Sequence, residues 1–118
     1  MLLLLSLTTF AQRKQFIRNY SEIGFIDSDG NRSKWYEAES RLFYYYYGYN
    51  QIKVFINDDT KLFYFDDESK ESSDNNIKYT KFHCIEEKTC EEVFICIFDE
   101  MDKGCVILFS NGELLCLR

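Results

Sequence analysis

The residues in this chain that are best suited to chemistry are one histidine and five cysteines. His83 directly precedes Cys84, and the other thiols are Cys90, Cys96, Cys105 and Cys116. A nucleophilic cysteine needs a base within hydrogen-bond reach, but adjacent residues of a strand point to opposite faces. The spacing also lacks the paired cysteines of a zinc site. We therefore expect no catalytic dyad and no metal site.

Cys84 and Cys90 bracket a short polar turn, so they are the predicted disulfide if the protein enters an oxidising compartment. An odd number of cysteines leaves at least one thiol unpaired. The alternative interpretation is that the cysteines are small, buried, apolar side chains. The sequence leaves both interpretations open.

The carboxylates lie mostly in turns, where their effect on solubility is sufficient to explain them. The cluster from Asp27 to Asn31 resembles the start of a calcium loop, but Gly30 and Ala38 occupy the wrong positions for an EF-hand. The chain has no glycine-rich phosphate loop, GxSxG elbow or HExxH motif. We expect a protein that is not an enzyme and that has no cofactor.

Aromatic side chains are the most suggestive feature, at 18% of the residues. An aromatic surface with acidic rims suits a peptide, a polysaccharide or a small apolar ligand. The alternative is that these rings form the second layer of a sandwich or fill a barrel. The predicted ligand-binding residues are Trp35, Tyr36, Tyr45, Tyr47, Phe55 and Tyr64.

The net charge of −6 and the pI near 4.8 argue against nucleic acid as a partner and against anionic membrane surfaces. Residues 1–11 read as a signal peptide, with an apolar run and small residues before a cleavage point at Gln12, although no basic residue precedes the run. This predicts a periplasmic or secreted protein with one domain over residues 12–118. The run is too short to span a bilayer. If it is instead a buried first strand or helix, the protein is cytoplasmic.

The elements that must position these residues are predicted to be strands. Asn and Asp turns between apolar runs, and the absence of proline, predict an all-β fold of about seven antiparallel strands. These would form a meander that closes into a small barrel or a two-layer sandwich. Residues 33–41 are predicted as a loop or a helical turn, residues 66–76 as a flexible loop, and a bulge is expected between Tyr79 and Phe82.

The C-terminal part predicts the register of the core. Asn111-Gly112 is typical of a two-residue type I′ turn, which would place Leu108 opposite Leu115 and Ile95 opposite Leu108. In the same way, the turn at residues 57–60 would place Phe63 opposite Val54. One face of the C-terminal strands would then be purely aliphatic (Val93, Ile95, Ile97, Val106, Leu108, Leu115 and Leu117). The other would be a Phe/Cys face (Phe94, Cys96, Phe98, Cys105, Ile107, Phe109, Leu114, Cys116 and Arg118).

Two functions fit these patterns. The first is an exported, non-catalytic binding module that uses the Tyr/Trp surface. The second is a structural or interaction subunit whose Phe/Cys face packs on a partner or on a second copy of itself.

Overall fold

Alternating apolar residues build eight antiparallel strands that close into a barrel. The computed structural model describes residues 14–46 and 50–118, without the side chains of residues 14–16, 44–46 and 101. Each strand pairs with its neighbours in sequence, and β1 also pairs with β8. The predicted all-β meander and its closure into a barrel are confirmed. The strands are β1 (Lys14–Ile26), β2 (Tyr36–Tyr46), β3 (Gln51–Ile56), β4 (Asp59–Ser72), β5 (Lys78–Glu86), β6 (Glu92–Phe98), β7 (Cys105–Phe109) and β8 (Leu114–Leu117), with one 3-10 turn at Met101–Lys103.

Two segments predicted as irregular are strand instead. β2 begins at Tyr36, inside the predicted loop or helical turn, and β4 continues through the acidic segment to Ser72. The polar half of β4 is held by its backbone ladder to β5, because Glu68 pairs with Phe82 and Lys70 with Thr80. Cross-strand pairing of this kind overrides low intrinsic strand propensity. The ladder runs without interruption from Tyr79 to Phe82, so the predicted bulge there is wrong; the register shifts lie between Phe65 and Asp67 in β4 and between Tyr20 and Glu22 in β1.

The chain turns at Asn111-Gly112, as predicted, but through a loop of three residues instead of two. The Gly112 amide donates to the Phe109 carbonyl at 3.0 Å, and the Phe109 amide donates to the Glu113 carbonyl at 2.9 Å. Gly112 has a φ of 91°, whereas Asn111 has no positive φ and its Oδ1 accepts a bond from the Glu113 amide. A turn followed by one left-handed glycine is the three-residue hairpin, not type I′.

The extra loop residue moves the register by one position and exchanges the two faces of β7. Ile107 pairs with Leu115 and with Ile95, and Val106 pairs with Cys116. The predicted faces are therefore wrong for β7: Cys105 and Ile107 point into the barrel, and Val106 and Leu108 point outward. Inward positions on β6 and β8 agree with the prediction.

The β3–β4 hairpin also differs from its predicted register, but without exchanging faces. Its turn contains two residues, with Asn57 at a φ of 52°, so that Ile56 pairs with Asp59. Phe63 consequently lies opposite Ile52 and not opposite Val54. A shift by an even number of residues keeps each side chain on its own face.

The barrel interior is filled by side chains from all eight strands. Its largest fully buried members include Phe63, Phe82, Leu42, Ile52 and Ile95. Phe65 packs edge-on against Phe82, with ring centroids 4.9 Å apart. The middle of the barrel is thus a packed core.

Candidate functional site

An apolar recess of about 490 Å³ opens at one end of the barrel, where β1, β3, β7 and β8 end or begin. We call this space the mouth recess. Ile23, Val54 and Leu115, which belong to the core, lie at its inner side. Phe25, Ile56 and Phe109 continue the inward-facing rows beyond that core and form the walls, with Phe25 left 48% exposed. The remaining lining residues are Ile26, Asp27, Asp59, Lys61, Glu113 and Leu114.

The charged residues of the mouth recess are not equally available. The Lys61 ammonium lies 3.5 Å from Oε1 of Glu86. Glu86 is buried, and its Oε2 accepts a hydrogen bond of 2.7 Å from the Thr89 hydroxyl. Asp27 is held by its own turn, where the Asn31 amide and side chain donate to it; these bonds lower the pKa of Asp27.

A second depression, the outer groove, lies outside the barrel across β1, β2 and β3, with a volume of about 710 Å³. Phe43 and Phe55 meet there edge-to-face, with centroids 5.4 Å apart. Arg41 bonds Asn19 at 3.0 Å, and Arg118 bonds Glu22 at 3.2 Å. The outer groove is mixed in polarity and its arginines are already engaged.

Two of the predicted ligand-binding aromatics belong to the surroundings of the outer groove. Phe55 lines it directly. Trp35 lies against Gly24, where an added Cβ would come 3.2 Å from the ring, and the Arg118 guanidinium stacks 4.0 Å above it. The indole therefore covers a glycine of β1 and is itself covered by an arginine.

The other predicted aromatics lie apart or outside the described part. Tyr36 is exposed at the start of β2, with the Lys34 ammonium 5.5 Å from its ring. Tyr64 is exposed on the outside of β4 and donates to Glu87 at 3.1 Å, a bond that raises the pKa of the phenol. The side chain of Tyr45 and all of Tyr47 are outside the described residues.

His83 and Cys84 point to opposite sides of β5. The His83 Nδ1 lies 2.6 Å from Asp66 and its Nε2 lies 3.4 Å from Glu92 on the outer surface. The hydrogen bond to Asp66, with a smaller contribution from Glu92, raises the pKa of His83. Cys84 is buried, and burial raises its pKa to about 12. A thiol in that environment stays protonated near neutral pH and is a poor nucleophile.

The five cysteines are free in the structure, including the predicted pair Cys84 and Cys90. Cys84 and Cys105 lie in the core, Cys90 is exposed in its turn, and Cys96 and Cys116 are half-buried on the outer surface. Within the described ranges, no three His, Cys, Asp or Glu residues are grouped so that they could hold a metal ion.

Sequence reasoning missed the residues that line the mouth recess. Phe25 and Phe109 stand where apolar runs meet turns, and that position was the one signal available. Assigning Phe109 to the inner surface required the correct register of β7.

Comparison with known proteins found no family model, curated protein or solved structure that matches this chain. No helix within residues 14–46 and 50–118 is long and apolar enough to cross a membrane.

Proposed function

We propose that the protein is a non-catalytic binding module that holds a small apolar molecule in the mouth recess. The observation that carries this proposal is an apolar space of about 490 Å³ above a filled core. Ligand sites are typically concave, largely apolar and of this size, and they occur at the mouths of β-barrels. The core beneath it limits how deeply a ligand enters.

The exposure of Phe25 favours the mouth recess over the outer groove as the binding site. A phenylalanine that is 48% exposed beside buried Leu115, its cross-strand partner, leaves apolar area that a ligand would cover. Removing apolar area from water contributes about 25 cal/mol per Å². The outer groove offers less, because Arg41 and Arg118 there bond other side chains.

A series of straight-chain alcohols measured by titration calorimetry tests this proposal. Each added methylene should tighten binding by about four-fold until the recess is full, because a buried CH₂ contributes about 0.8 kcal/mol. Phe25→Ser should weaken binding at every chain length. Tyr64→Ser is the matched control, since Tyr64 is similarly exposed, at 44%, but lies on the outer surface. Loss of binding in Tyr64→Ser with retention in Phe25→Ser would place the site on the predicted aromatic surface instead.

The second candidate function is an interaction subunit, and one observation favours it. The outer surface of β6, β7 and β8 carries a half-buried apolar band consisting of Phe94, Cys96, Phe98, Val106, Leu108, Leu114 and Cys116. Exposed apolar patches of this kind often mark protein contacts. Light scattering over a range of concentrations separates the candidates, because a mass that stays monomeric argues against self-association through this band.

We also propose export from the cytoplasm, on the basis of the apolar residues 2–7 and the small residues before Gln12. Mass spectrometry of natively produced protein tests it. A mature chain that begins at Gln12 supports export, and retention of Met1 contradicts it.

A further inference from the structure

We propose that the mouth recess selects an amphiphilic cation, a molecule with an apolar body and a positively charged head group. This inference rests on the proposed function and adds the charge of the ligand. The lining contains three carboxylates, from Asp27, Asp59 and Glu113, against one ammonium, from Lys61. These groups surround an otherwise apolar space, so the recess combines an apolar interior with a negative rim.

The single positive charge of the recess is offset within the protein. Lys61 faces the buried carboxylate of Glu86 at 3.5 Å, and that carboxylate is fixed from its other oxygen by Thr89. An anionic head group would have to compete with Glu86 for Lys61. It would also approach the three rim carboxylates, where like charges repel.

Two of the three rim carboxylates, those of Asp59 and Glu113, are free to meet a cation. Asp59 and Glu113 are exposed, and neither carboxylate is bonded by a side chain of the described ranges. Asp59 begins β4 opposite Ile56, and Glu113 precedes β8 opposite Phe109. The rim charges thus come from the same strand ends as the apolar walls Ile56 and Phe109. A ligand whose chain lies against those walls places its head group between the two carboxylates.

The same arrangement favours an organic cation with a single positive charge over a metal ion as the ligand. Asp27 is already occupied by Asn31, and the described residues contain no cluster suited to a metal. A diffuse cation such as a quaternary ammonium needs no direct ligands. It gains from a negative rim and from the face of an aromatic ring, which exposed Phe25 provides.

Calorimetry with three ligands of equal chain length tests the proposal: decyltrimethylammonium, decanol and decanoate, each below its aggregation concentration. We expect the cation to bind about ten-fold more tightly than the alcohol, and decanoate to bind most weakly. Raising the salt concentration should reduce the preference for the cation and leave decanol unchanged. Equal affinity for all three would overturn the head-group preference while leaving the recess as the binding site. Tightest binding of decanoate would also overturn it and assign the head group to Lys61.

Variants of the rim carboxylates provide a second test of the proposal. Asp59→Asn and Glu113→Gln should each weaken decyltrimethylammonium by about three-fold, and the double variant by about ten-fold, with decanol unaffected. Asp102→Asn is the matched control, because it removes one negative charge from the turn at the opposite end of the barrel. An equal loss in Asp102→Asn would show that net charge, and not the rim, causes the preference. If none of the three ligands binds, both this inference and the proposed function are wrong.

Discussion

Replacing Gly104 with alanine should open the barrel at the seam between β7 and β8. Gly104 has a φ of +78°, and a Cβ built there would lie 1.9 Å from the carbonyl oxygen of Leu117. That oxygen belongs to the backbone of β8, so no side-chain rotation can relieve the contact. The two strands must separate by more than an ångström, where Cys105 pairs with Leu117.

The cost can be divided into a conformational part and a steric part. A left-handed φ costs an alanine about 1–2 kcal/mol, and the stiffer unfolded chain returns about 0.4–1 kcal/mol. Gly30→Ala measures this part alone, because Gly30 has a φ of +88° and nothing within 4 Å of the added Cβ. We expect a loss of about 1 kcal/mol for Gly30→Ala. Gly104→Ala should lose about 3–4 kcal/mol of unfolding free energy, because strained contacts and broken ladder hydrogen bonds add to the same cost of a left-handed φ.

Urea denaturation at constant m-value gives both losses directly. In a thermal melt, they correspond to about 4 °C for Gly30→Ala and about 12–16 °C for Gly104→Ala. Gly112→Ala provides a third point: its φ is +91° and its nearest neighbour is the Ser28 Cβ at 3.7 Å, an ordinary contact. It should behave like Gly30→Ala. Equal destabilisation of all three variants would refute the steric argument.

Three further predictions follow from the core, the thiols and the histidine. Phe82→Ala should cost about 3–5 kcal/mol in urea denaturation, because Phe82 is fully buried; Phe98→Ala, on the outer surface, should cost clearly less, and equal costs would contradict the inside–outside assignment. In the folded protein, a neutral-pH alkylating reagent should modify exposed Cys90 first, and buried Cys84 and Cys105 only on unfolding; peptide mapping checks the order, and early labelling of Cys105 would contradict it. His83 is the single histidine, so its NMR titration is unambiguous, and its raised pKa should fall toward 6.5 in Asp66→Asn. The pKa of His83 is higher in the folded than in the unfolded protein, so the stability difference between wild type and Asp66→Asn should be fully present below pH 6.5. It should be lost as the pH rises through the folded pKa of His83. A difference that grows with pH would show that the His83–Asp66 pairing was wrongly assigned.

The fold class could be predicted from the sequence because the patterns that indicate it are local. Apolar alternation in β3, β6 and β8, and turn residues between them, predict an antiparallel meander without reference to distant residues. The polar half of β4 could not be found in this way. Residues 67–72 contain no apolar side chain, and they are strand because β5 offers them a ladder.

Register was the point at which local reasoning failed. Asn111-Gly112 is compatible with a two-residue or a three-residue loop, and the difference of one residue decides whether Cys105 and Ile107 or Val106 and Leu108 face inward. Both pairs of side chains are apolar, so hydrophobicity does not discriminate between them. The correct choice depends on which set fits inside a closed barrel with Ile95 and Leu115. The same closure creates the mouth recess, which is why its lining could not be assembled from sequence patterns.

The recess depends on closure between the first and last strands. Ile23 and Phe25 come from β1, and Leu115 comes from β8, and these strands meet over only four residue pairs, Ile23 to Ile26 with Leu114 to Leu117. The Arg118 carbonyl extends the seam by accepting bonds from the Ser21 and Glu22 amides at 2.9 and 3.0 Å. A ligand in the recess would contact both sides of this short seam, so it would bind the closed barrel and not an opened one. Binding and closure are therefore thermodynamically linked. Gly104→Ala disturbs the neighbouring β7–β8 pairing at Leu117, the residue that also pairs with Ile23 across the β1–β8 seam. It should therefore lower affinity in proportion to the fraction of barrel that it opens, although Gly104 lies at the opposite end of the barrel.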